Sequence, residues 1–84
     1  MKHATSAALD TLSDLLQQIR LKEGLREKGP GVFYRKSKAF LHFHEDPAGM
    51  FADIRAGEDF DRYPVNTRAQ QRALLAAIDR ALKG

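Results

Sequence analysis

Apolar residues recur with a helical period at both ends of the chain and with a strand period in its middle. Leu9, Leu12, Leu15, Leu16 and Ile19 fall on one helical stripe. Thr5 or Ser6 supplies an N-cap. Asp10 and Asp14 come early and Arg20 and Lys22 late, as the helix dipole prefers. Gly24 is a C-cap candidate. Leu25 to Lys28 either prolongs this helix or makes a separate turn, and Gly29-Pro30-Gly31 stops it. At the other end, Leu74, Leu75, Ile78, Ala81 and Leu82 make a second stripe. Asn66-Thr67 opens it, and Thr67 with Gln70 three residues on has the form of a capping box.

Between the helices the period falls to two. Val32-Phe33-Tyr34-Arg35 is a first strand, and Lys36-Ser37-Lys38 turns it into the next. With a two-residue loop Phe33 faces Phe40. With three residues it faces Leu41 and joins the core; the sequence leaves both open. Ala39–Arg55 reads as a hairpin about Asp46-Pro47-Ala48-Gly49, which has the composition of a type I turn. That turn sets Glu45 opposite Met50, His44 opposite Phe51, Phe43 opposite Ala52, His42 opposite Asp53, Leu41 opposite Ile54 and Phe40 opposite Arg55. Leu41, Phe43, Met50, Ala52 and Ile54 then share an apolar face. Phe40, His42, His44, Phe51, Asp53 and Arg55 share the other. After a polar break, Phe60–Val65 alternates weakly, and Pro64 makes it an edge strand or an extended loop. The expected fold is a two-layer α+β domain of order α-β-β-β-α. Its antiparallel meander has three strands, with Phe60–Val65 the candidate fourth, and both helices lie on one face. The expected core is Leu12, Leu15, Leu16, Ile19, Leu41, Phe43, Ile54, Leu74, Ile78 and Leu82.

At 84 residues the chain is read as one domain, 1–84. A hydrophobic fraction of 43% argues against disorder. The absence of cysteine excludes a disulfide framework and thiolate metal sites, and no apolar run is long enough to span a bilayer. The N-terminal residues lack a signal-like apolar stretch, so a cytoplasmic location without membrane contact is expected. The net charge of +3 is unevenly spread. Between positions 20 and 38, seven cations outnumber Glu23 and Glu27, whereas acidic residues dominate between 45 and 61. Such a basic segment suits a nucleic acid or an acidic partner.

Three chemistries follow. His42 and His44 on one strand face, with Asp53 across from His42, have the donor types of a two-histidine-one-carboxylate metal site. Glu45 points to the opposite face, so only a second subunit, His3 or solvent completes the ligand set. The expectation is a His42–Asp53 pair and no cofactor. No serine occupies a nucleophile-like turn and there is no cysteine, so binding is expected rather than catalysis. The open sheet face, Phe40, His42, His44, Phe51, Asp53 and Arg55, is the expected surface for a protein partner or a second copy. The alternative is nucleic acid held by Arg35, Lys36, Lys38, Arg68 and Arg72.

The α-β-β-β-α order resembles the double-stranded-RNA-binding domain, in which basic residues open the second helix; Arg68 and Arg72 stand there in this chain. The likeness stops at that family's Lys-Lys cluster, which is absent, and at 56–65, which separates the third strand from the helix. The segment GVFYRKSKAFLHFHEDPAGMFADIR, followed by FDRYPVNTRAQQRALLAAI, is similar to a small bacterial family of uncharacterised α+β proteins. That resemblance implies no activity and no site residue.

Overall fold

The computed structural model describes residues 2–83. The chain runs β1 (Lys2–His3), α1 (Ser6–Asp10), α2 (Ser13–Arg20), β2 (Arg26–Gly29), β3 (Val32–Arg35), β4 (Lys38–Asp46), β5 (Gly49–Ala56), β6 (Asp59–Pro64) and α3 (Arg68–Lys83). All strand pairs are antiparallel, in the order β2-β3-β4-β5-β6. β1 pairs with the upper half of β4, in the lane that β3 fills lower down. The expected meander is present, widened from three or four strands to six.

The first helical stripe is broken in two. Thr11 turns its hydroxyl back onto the Ala8 carbonyl, and the backbone bonds Thr11 N–Ala8 O and Leu12 N–Leu9 O tighten the turn. Leu12 leaves helical geometry at φ −109°, ψ 20°, and α2 restarts at Ser13. Residues 26–29, expected to prolong the helix or to turn, form a strand. Pro30-Gly31 closes a two-residue hairpin with Gly29 opposite Val32, and Gly31 at φ 72° supplies the left-handed position. A Cβ there would stand 2.9 Å from the Leu9 side chain, so Gly31 also lets α1 approach the sheet. Glu27 fastens this corner, accepting from the Arg20 guanidinium and from the Gly31 N–H.

The β4–β5 hairpin has the expected register from Leu41–Ile54 to Glu45–Met50, with Asp46–Gly49 as a further pair, so its loop is only Pro47-Ala48. Asp46 accepts from Ala48 N, and Gly49 takes φ 131° with Asn66 packed against it. At the β3–β4 turn the loop has two residues, Lys36-Ser37, yet Phe33 faces Leu41. Both sequence-level options are reconciled by a bulge: Tyr34 pairs with Ala39 and Phe33 with Leu41, so Phe40 is the extra residue. The bulge sends Phe40 into the core, where it is 3% exposed, instead of onto the outer face.

Leu9, Leu12, Leu15, Leu16, Ile19, Leu74, Ala77 and Ile78 from the helical segments join Phe33, Phe40, Leu41, Phe43, Ala52, Ile54 and Val65 in a single cluster. Every expected core residue is buried except Leu82, which packs at its margin. α3 opens as the capping box requires: Gln70 N donates to the Thr67 hydroxyl, and the Gln70 side chain accepts from Thr67 N and Asn66 N. Asn66 also bonds both N and O of Met50, which ties the start of α3 to β5. Among the described residues, no helix is long and apolar enough to cross a membrane.

Candidate functional site

Strand alternation divides the sheet residues into two sets. Phe33, Leu41, Phe43, Ala52, Ile54 and Tyr63 turn toward the helices. Val32, Tyr34, His42, His44, Phe51, Asp53, Arg55, Phe60, Arg62 and Pro64 occupy the other face. Of the residues assigned to this face from sequence, His42, His44, Phe51, Asp53 and Arg55 are there and Phe40 is not. Tyr34, Phe60 and Arg62 belong to it and were missed. The register of β6, had it been fixed as a strand, would have placed Phe60 and Arg62 beside Arg55 and Asp53.

Asp53 lies at the centre, 6% exposed. The Arg62 guanidinium grips it with a two-pronged fork, Nε to Oδ1 at 2.8 Å and a terminal nitrogen to Oδ2 at 2.9 Å. His44 Nε2 stands 3.0 Å from Oδ2. The expected His42–Asp53 pairing holds for the backbone, but the carboxylate contacts go to Arg62 and His44. His42 packs edge-on against the rings of His44 at 4.7 Å and Phe60 at 4.9 Å. The hydrogen bonds from Arg62 hold the Asp53 carboxyl below its ordinary range; burial opposes this, and the charges of Arg62, His44 and His42 add to it. The nearest donors of His42, His44 and Asp53 all lie within 4.8 Å of one another. His3, named from sequence as one group that could complete the ligand set, is paired through its backbone with His44 in the β1–β4 ladder.

Around this centre, aromatic rings and cations interleave. The Arg55 guanidinium lies 4.8 Å from the centre of the Phe60 ring and donates from Nε to the Ala39 carbonyl. Lys28 Nζ lies 5.0 Å from the Tyr34 ring centre. Phe60 is 36% exposed and is one of the few large apolar side chains open to solvent.

The five basic residues considered for nucleic acid are divided. Arg35, Lys36 and Lys38 border a cleft of about 710 Å³ at the turn end of the sheet, together with Arg55 and Arg80. Phe40, Ile54, Tyr63 and Ala77 line the same cleft. Arg35 is committed to the end of α3, donating to the Ala81 and Leu82 carbonyls. Lys36 adopts φ 59°, a left-handed conformation that favours glycine, and so keeps a charged side chain where the backbone would prefer none. Arg68 and Arg72 open α3 and line a different cleft with Asp10 and Asp14. Arg68 and Arg80 are twelve positions apart, roughly 18 Å along the helix, so the two basic groups do not form one patch.

Comparison of the chain with family models, with curated proteins and with solved structures finds no match.

Proposed function

We propose that the protein is a binding module for single-stranded nucleic acid, which lies across the open face of the sheet. The observation that carries this reading is the composition of that face. Tyr34, Phe51 and Phe60 are set among Arg26, Lys28 and Arg55, and the two carboxylates on the same side are both engaged: Asp53 by Arg62, and Asp46 by the Ala48 N–H. An antiparallel sheet that carries the exposed Phe60, the half-buried rings of Tyr34 and Phe51, and cations offers stacking for bases and charge for phosphates, without sequence-specific hydrogen bonding. The basic cleft at the turn end continues the same charge through Arg55, which borders both surfaces. In this arrangement the helices serve to hold the sheet and leave its other face open. Arg68 and Arg72 line a different cleft and are not part of this surface.

The test is titration of a fluorescent single-stranded oligonucleotide across a salt series. Affinity should fall with salt, with a log–log slope of about −2 to −3 if three to four phosphates are contacted. Phe60→Ala should weaken binding about ten-fold, in line with the stacking contribution of one base. Arg68→Ala should leave it unchanged. Absence of binding at micromolar protein and low salt would reject the proposal.

The same face also fits the docking of a second copy or of another protein. Asp53, Arg55 and Arg62 lie among the rings there, and charge within the face favours the nucleic-acid reading over an apolar protein interface.

A further inference from the structure

We infer that His42, His44 and Asp53 form a binding site for a late first-row divalent ion, with zinc the probe of choice, and that Arg62 occupies the carboxylate in the ion's place when no ion is bound. The inference is separate from nucleic-acid binding, although both concern the same sheet face.

Geometry comes first. The three donors come from adjacent positions of one antiparallel pair: His42 and His44 two apart on β4, and Asp53 opposite His42 on β5. Their backbone separation is therefore fixed by the β4–β5 ladder, and small side-chain rotations gather the ligand atoms, which already lie within 4.8 Å of one another. Two imidazoles and one carboxylate favour zinc, nickel or copper over magnesium or calcium, which prefer all-oxygen sites. Three protein ligands leave at least one position for water or a bound molecule, the pattern of an open rather than a purely structural site.

Arg62 is the second consideration. Its fork takes both oxygens of Asp53, and its side chain is 45% exposed, so it has room to swing into solvent. A guanidinium and a divalent ion both require the Asp53 charge, and close approach of the two cations is unfavourable. Arg62 therefore supplies a resident positive charge that keeps a nearly buried carboxylate compensated until a metal replaces it. This exchange makes a prediction opposite to that for an ordinary ligand: removing Arg62 should strengthen metal binding.

The experiment is calorimetric titration of the full chain with zinc, paired with NMR of the His42 and His44 ring protons. Wild type should bind one zinc per chain at micromolar concentration, with both histidine signals shifting together, and equimolar magnesium should not compete. His44→Ala and Asp53→Asn should each weaken binding at least ten-fold. Arg62→Ala should tighten it severalfold. Circular dichroism of each variant separates loss of ligand from loss of fold, and Arg62→Gln repeats the test should Arg62→Ala unfold. Failure of both wild type and the Arg62 variant to bind zinc would overturn the inference, as would binding that persists in folded His44→Ala. The titration contains no nucleic acid, so its outcome is independent of the oligonucleotide assay.

Discussion

Asp53 stays charged in the middle of a sheet face because Arg62 and His44 meet its oxygens there. Its folded-state pKa lies below the unfolded value, so its contribution to stability is present above the unfolded pKa and is lost as pH falls through the folded one. Glu27, lowered first of all by its hydrogen bonds from Arg20, acts in the same sense. Acid titration of the melting temperature should therefore show a decline that begins below about pH 4. In Asp53→Asn the decline should be shallower; an unchanged acid limb would mean that the carboxylate is not held as described. Arg62→Ala should lower the melting temperature at neutral pH, because it removes a charged partner from a nearly buried carboxylate. Lys36 behaves differently. Its left-handed backbone predicts that Lys36→Gly stabilises the fold by about 0.5–1 kcal/mol, the relief of strain being partly offset by a freer unfolded chain. Urea unfolding checks this; under the proposed binding mode the same variant should also bind oligonucleotide less tightly, since a cation bordering the cleft is gone.

Among the elements, the β3–β4 pair is the most informative. Its bulge puts Phe40 beside Leu41 in the core, so Phe40→Ala and Phe43→Ala should each cost about 3–5 kcal/mol in chemical denaturation. A silent Phe40→Ala would mean that the bulge is absent. This is also where the sequence stopped being readable. Strict alternation assigns Phe40 to the outer face, and only the two-residue loop together with a Phe33–Leu41 pairing demands the extra residue. The β4–β5 register, by contrast, was legible because Asp46, Pro47 and Gly49 fix one turn. The capping box of α3 was legible because it is a local pattern of two side chains. The strand at 26–29 was hidden behind a helix-compatible composition. Its sequence signal, Pro30-Gly31, fits a helix stop as well as a hairpin turn, and only the left-handed φ of 72° at Gly31 decides for the hairpin. The division of the first helix turns on one threonine hydroxyl bonding backward, which periodicity does not register.

At the scale of the whole molecule, the chain combines a single core with a sheet whose second face is polar, aromatic and basic. The candidate site was partly legible: His42, His44, Phe51, Asp53 and Arg55 followed from one hairpin register. Tyr34, Phe60 and Arg62 did not, because they come from strands whose pairing was open. Arg35, Lys36 and Lys38, considered together with Arg68 and Arg72 from sequence, lie on a different cleft from them, toward the opposite end of α3. Backbone amide NMR tests directly whether the open sheet face takes up single-stranded nucleic acid. A labelled sample titrated with a short single-stranded oligonucleotide should show its shifts at Tyr34, His42, Phe51, Arg55, Phe60 and Arg62, with Arg68, Arg72 and the cleft they line with Asp10 and Asp14 unmoved. Shifts confined to the helical side, or none at low salt and high protein concentration, would contradict it.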